Sequence, residues 1–178
     1  MPIAGSDIIF RLSVVAAAGD ATAGTPAGAL GDQVSTTTIT TAQLNSIFDD
    51  VSGAEAAAGD VEYRCIFVLN NHASLTLTGA NVYIVSQTSG GGLIELGLDP
   101  IAVSAKASAS AQAATIANES TAPASVTFSS PTSGSPLVIG DMAPGTVKGI
   151  WMRRTVTAGA GALNPDGVII GVAGDTLP

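Results

Sequence analysis

Three groups of side chains in this 178-residue sequence could do chemistry: a lone histidine, a run of carboxylates and two adjacent arginines. His72 is the single histidine. It follows Asn70-Asn71, and asparagine tolerates left-handed backbone and bonds its own neighbours, so the segment reads as a turn. A nucleophilic triad needs its histidine held by a carboxylate, beside a serine on a rigid elbow; no G-x-S-x-G occurs. His72 therefore reads as a solvated turn residue, and no catalytic residue is assigned. Asp49, Asp50, Glu55, Asp60 and Glu62 place five carboxylates in fourteen residues. Calcium takes about six to eight oxygens from a flexible loop, which makes Asp49, Asp50, Glu55 and Asp60 candidate ligands. Their spacing matches no EF-hand, and the alternative is a solvated acidic loop.

The third group is Trp151-Met152-Arg153-Arg154. On a strand, Trp151 and Arg153 share one face, Met152 and Arg154 the other. Half of the four arginines stand here side by side, and at least one is expected to meet a carboxylate in a bidentate pair. Glu62 and Glu55 are the candidate partners. Tryptophan and arginine are also enriched at interface hot spots, so Trp151, Arg153 and Arg154 are candidate contacts to a neighbouring subunit. Cys65 stands alone, which excludes an intramolecular disulfide and a cysteine-based metal site. It reads as a small buried thiol, in a reducing compartment or in a protein that does without disulfides.

Little else points to catalysis. No G-x-G-x-x-G leads from a strand into a helix, so no dinucleotide cofactor is expected. No carboxylate pair is marked out, and aromatic residues at 4% leave few platforms for stacking sugars. No enzyme activity and no cofactor are expected. Fourteen acidic residues against six basic ones give a net charge of −8, which excludes nucleic-acid binding by a basic patch and argues against anionic membranes. Ile8 to Ala18 imitates a secretory signal, but no basic residue precedes it and Asp7 and Arg11 interrupt it. No apolar run approaches the roughly 18 residues of a membrane span, so a soluble chain is expected.

Those side chains need elements to hold them. Ile8, Phe10, Leu12 and Val14 alternate with polar partners and predict a strand. Gly19 to Gln33 is an Ala/Gly/Thr-rich loop with little to bury. Thr41 is placed to cap a short helix over 42–50, whose stripe of Leu44, Ile47 and Phe48 would close one end of a core. Ser52 to Asp60 reads as a loop. Val61, Tyr63, Cys65, Phe67 and Leu69 alternate with Glu62, Arg64, Ile66 and Val68: half-exposed at first, then buried on both faces. Further strands are expected at 74–78, 82–86, 93–98, 126–128, 137–139, 147–156 and 168–172. Gly79 breaks the first two, and Asn164-Pro165-Asp166-Gly167 forms a turn. The Ala/Ser tract 104–117 reads as an extended connection.

Eight or nine short strands with one short helix predict an all-β fold, an antiparallel β-sandwich of Ig-like or jelly-roll-like type. Residues 1–35 would be an extended N-terminal arm and 36–178 the sandwich domain. The long loop after Ile8–Val14 would let Ile8, Phe10, Leu12 and Val14 reach a neighbouring subunit. Deleting residues 1–33 would then abolish assembly and leave a folded domain.

Several blocks also resemble a family of small structural proteins of tailed bacteriophages. They are Asp50-Val51-Ser52-Gly53-Ala54-Glu55, Gly59 to Asn70, Ala117 to Pro123 leading to Val126-Thr127-Phe128, Gly149 to Val156, and Gly174-Asp175-Thr176. The blocks run in order through most of the chain, as ordinary residues rather than a chemical signature. The resemblance implies a β-sandwich virion component, present in many copies, without catalysis and assembled in the host cytoplasm. Capsid decoration (cement) is its first implied role, with the major capsid protein or other virion proteins and further copies of itself as partners. A tail or head–tail connector component is second. A secreted carbohydrate- or ligand-binding sandwich is the rival from another class. Fold alone does not separate them.

Overall fold

A strand with large apolar side chains on both faces is stable only when both faces are covered. In the computed structural model, which describes residues 2–161 and 163–176, two layers and a set of loops do this. The elements are β1 (Ile8–Val14), β2 (Gly31–Thr38), α1 (Gly53–Ala58), β3 (Asp60–Asn70), β4 (Leu77–Gln87) and β5 (Leu93–Leu98). They continue as β6 (Ser104–Ala105), β7 (Ala113–Thr115), β8 (Leu137–Met142), β9 (Thr146–Val156) and β10 (Val168–Thr176). One antiparallel sheet runs β5–β9–β3–β1–β2–β7, with β6 joined to β9; the other runs β10–β4–β8. The fold is all-β, two antiparallel sheets with one short helix, as expected.

Ile66, Val68, Leu96, Ile150 and Met152 of the large sheet meet Leu77, Ala80, Val82 and Met142 of the small one. On the reverse of the large sheet, Cys65, Phe67, Leu69, Val147 and Trp151 form a second core, roofed by Leu30, Ile116, Val126 and Phe128. That roof comes from loops, not from a third sheet.

The expected N-terminal arm is corrected. β1 lies between β3 and β2, pairing Ile8 with Asn70, Leu12 with Ile66 and Ser13 with Val34. Leu12 is buried, and Ile8 and Phe10 pack on the core of their own chain. The Ala/Gly loop after β1 is pinned to β2: Gly19 N donates to Gln33 Oε1 at 2.7 Å, Thr36 N to Thr22 O at 2.9 Å, and Arg11 pairs with Asp20 at 3.1 Å. Low complexity leaves the loop little to bury, and its backbone finds partners instead.

The helix is also displaced. Residues 42–50 form turns, and Ala42 and Asn45 take φ of 60° and 55°, which a right-handed helix does not allow. Asp49 and Asp50 would have stood at the negative end of the helix dipole. Ile47 and Phe48 still reach the core, as a strap across its end, while Leu44 is left exposed. The helix forms at Gly53–Ala58, within the expected loop. Ser52 Oγ accepts from Glu55 N at 3.3 Å and Glu55 Oε2 accepts from Ser52 N at 2.6 Å, a capping box ahead of good helix formers.

Three smaller expectations change. Gly79, at φ +60°, sits within one continuous β4 and does not divide two strands. Val126–Phe128 is a loop, followed by a single bridge from Ser129 to Leu96. The Ala/Ser tract carries two short strands, β6 and β7, and is fastened by glutamines. Gln112 accepts from Val34 N at 2.8 Å and donates to Ala105 O at 2.7 Å, while Gln33 donates to Ser108 O at 3.3 Å.

Candidate functional site

Strand alternation separates the adjacent arginines as expected, and each faces its own carboxylate. Across β5, β9 and β3 one row reads Ile94, Arg154, Glu62 and the next reads Glu95, Arg153, Tyr63. Arg154 Nε donates to Glu62 Oε2 at 2.6 Å, with Nη2 on the same carboxylate. Its Nη1 donates to Asp49 O at 2.6 Å, and the guanidinium lies 4.9 Å from the centre of the Phe48 ring. Arg64, from the next inward position of β3, approaches the same ring at 5.7 Å, pairs with Glu119 and lies 3.8 Å from Glu62. Phe48 thus sits against two guanidinium groups, and Glu62 is flanked by two.

Glu62 and Arg64 are 2% and 1% exposed, although the sequence pattern predicted half-exposed positions. The strap accounts for the difference, because Phe48 and Asp49 cover the end of the inner face where water would otherwise stand. Burial raises the Glu62 carboxyl above its ordinary value, and the Arg154 charge pulls against it. On the outer face, Arg153 Nε donates to Glu95 at 2.9 Å and its guanidinium lies 5.0 Å from the Phe128 ring. Phe128 in turn meets Tyr63 at 5.5 Å between ring centres.

Trp151 is fully buried, and this placed a centre that sequence reasoning missed. Its Nε1 donates to Asp99 Oδ2 at 2.8 Å; Ala114 N donates to the same oxygen and Ile101 N to Oδ1, each at 2.8 Å. Lys148 Nζ donates to the carbonyls of Asp99 and Ile101 at 2.7 and 2.6 Å. Burial lowers the Lys148 ammonium, with Asp99 opposing. The one signal in the sequence was Asp99-Pro100 at a strand end, which announces a turn and not a buried carboxylate. Burial, reinforced by the Asp99 charge, pushes the Cys65 thiol well up, so it is a poor nucleophile.

The remaining candidates are dispersed. Glu55 is turned to its own helix cap and Asp49 to Arg154. Among the described residues no three His, Cys, Asp or Glu side chains are grouped to hold a metal ion, so Asp49, Asp50, Glu55 and Asp60 do not converge on calcium. His72 Nδ1 accepts from Ser74 N and Leu75 N at 3.1 and 3.0 Å, closing the expected turn. Ile8, Phe10, Leu12 and Val14 lie within β1, inside the sheet. Of the residues expected at an interface, Arg153 keeps the most solvent-facing charge, its side chain 31% exposed against 9% for Arg154. Among the described residues, one surface cleft of about 100 Å³ lies between the strap and β2, and another of about 390 Å³ lies at Gln87–Gly91. Hydroxyl, amide and apolar groups line both. Among the described residues no helix is long and apolar enough to cross a membrane.

No family model, no curated protein and no solved structure matches this chain.

Proposed function

We propose that this chain is a non-enzymatic structural component of a tailed bacteriophage virion, with capsid decoration (cement) as its favoured position and a tail or head–tail connector as the second. One observation carries the reading. Three of the blocks that resemble that family, 59–70, 117–128 and 149–156, lie far apart in the sequence, yet they meet at the two arginine clusters. Arg64 of one block pairs with Glu119 of another, Arg154 of a third with Glu62, and Arg153 lies over Phe128, which packs on Tyr63. Residues that resemble such a family and are spent on internal pairs build a framework; they do not line a cleft.

The charge balance fits the same role. The chain is net −8, and among the described residues all four arginines pair with carboxylates and Lys148 is buried, which supports shell or tail proteins and further copies of itself as partners rather than the packaged nucleic acid. A secreted sugar-binding module would present exposed aromatic platforms, whereas Trp151 and Tyr63 are buried and Phe48 and Phe128 are taken by guanidinium groups. Mass spectrometry of purified particles tests the proposal. Many copies of this chain per particle are expected, and particles that lack it would refute the role.

A further inference from the structure

Sheet edges with unpaired backbone groups invite another strand, and folded proteins blunt them. Three of the four edges here are blunted. β5 is covered by Ser129, which exchanges bonds with Leu96 at 2.8 and 3.0 Å; β7 is three residues long; β8 carries Gly140 at φ +92° and Asp141, which accepts from Gly79 N. β10 is different. It runs nine residues, pairs only with β4 among the described residues, and contains neither proline nor lysine; register shifts at Ile169/Ile170 and Ala173/Asp175 bound a regular run over 170–173, and that run is the open part of the edge.

The sheet behind this edge is nearly uncharged. β4, β8 and β10 together hold two charged side chains, Asp141 and Asp175, while the whole chain has twenty. Their outer face exposes Val85, Val138 and Ile169 at 57%, 70% and 60%. The Tyr83 ring lies so close over Gly171 that a Cβ there would meet ring carbons at 2.8 Å, leaving the middle of the face flat.

We propose that β10 pairs antiparallel with β10 of a second copy of this chain, joining two three-stranded sheets into one of six. Charge selects this partner. Two chains of net −8 repel over most of their surfaces and can approach where the surface carries almost no charge. A two-fold axis through the ribbon puts the two Asp175 side chains towards opposite ends, with Ile, Gly, Val and Ala facing across the middle. Area selects the mode. Three strands spaced about 4.8 Å give a face of roughly 400 Å², below the ~800 Å² per partner of a stable interface, so stacking of faces alone is too small and main-chain pairing must add to it. The inference is independent of the virion reading.

Sedimentation velocity on the purified chain tests it, with a species of twice the 17.4 kDa chain mass expected. Ile169→Lys with Ala173→Lys places like charges across the ribbon at exposed positions and is expected to raise the dimer dissociation constant at least about tenfold, with the circular dichroism spectrum unchanged. Val138→Lys, on the far strand, is expected to leave the dimer intact. Should the double variant fail to fold, Ala173→Cys supplies a milder probe. It would be the one accessible thiol beside buried Cys65, and a short bis-maleimide is expected to link two copies through it. A wild-type monomer at every concentration, a dimer indifferent to the lysines, or an Ala173→Cys chain that does not cross-link would overturn the proposal. So would a chain that is monomeric alone yet loses its place in a larger assembly on Ile169→Lys, because the edge would then belong to a different protein.

Discussion

Glu62 and Arg154 face each other across β3 and β9, 92 residues apart in sequence, with Arg154 Nε donating to Glu62 Oε2 at 2.6 Å. The pair does more than join two strands. Arg154 also holds the Asp49 carbonyl and lies against Phe48, so one guanidinium closes the strap over the end of the core.

Arg154→Met is predicted to destabilise the chain by about 3–5 kcal/mol, because it leaves Glu62 buried with only Arg64 nearby and releases the strap. Adding Glu62→Met to the same chain should recover much of that loss. Urea denaturation of the three variants and the parent measures both effects. A single-variant loss below about 1 kcal/mol would mean the pair is solvated in solution.

The two glutamates that flank this region should respond to pH in opposite directions. Burial raises the Glu62 carboxyl above 4.5, so the folded state holds that proton more tightly than the unfolded chain. The stability this contributes is complete below pH 4.5 and is lost as pH rises through the folded value. Glu55 is lowered by its bond from the Ser52 backbone, so its contribution is present above 4.5 and is lost as pH falls through the folded value. Relative to the parent, Glu62→Gln should therefore gain as pH climbs above 4.5, and Glu55→Gln should gain below it. Denaturation midpoints followed across acid pH would show the two slopes, and equal slopes would contradict the assignment.

Asp99→Asn should unsettle the second core. Asp99 accepts from three N–H groups, and an amide presents hydrogens to at least one of them. A loss of about 1–3 kcal/mol is expected, with a change in the emission of the single tryptophan, Trp151. Unchanged fluorescence would argue against the Trp151–Asp99 bond.

Deleting residues 1–33 is now predicted to abolish cooperative unfolding. It removes β1 from between β2 and β3 and uncovers Ile66 and Val68. Calorimetry of the truncated chain checks this; a sharp transition near the parent temperature would restore the idea of a detachable arm.

Much of the sheet was legible because alternation is local. β3, β5, β9 and β10 follow from it, and the scarcity of arginine pointed at least one of Arg153 and Arg154 towards Glu62 or Glu55, of which Arg154 takes Glu62. Placement in the sheet was not legible. The pairing of β1 with β3 spans more than fifty residues, and a long Ala/Gly loop looks the same whether it frees a strand or returns it. The capping box at Ser52 and Glu55 was present in the sequence, but the stripe of Leu44, Ile47 and Phe48 drew the helix to the wrong segment. Asp99 could not have been read in advance, since its donors come from Ile101, Ala114 and Trp151 on three separate segments.

Electron microscopy of the native assembly tests the central claim most directly. A virion structural role predicts density for the all-β fold repeated in a symmetric array on the particle, with capsid decoration placing that array on the shell. A particle whose density has no place for this fold, together with a free monomer that binds oligosaccharide, would contradict the account.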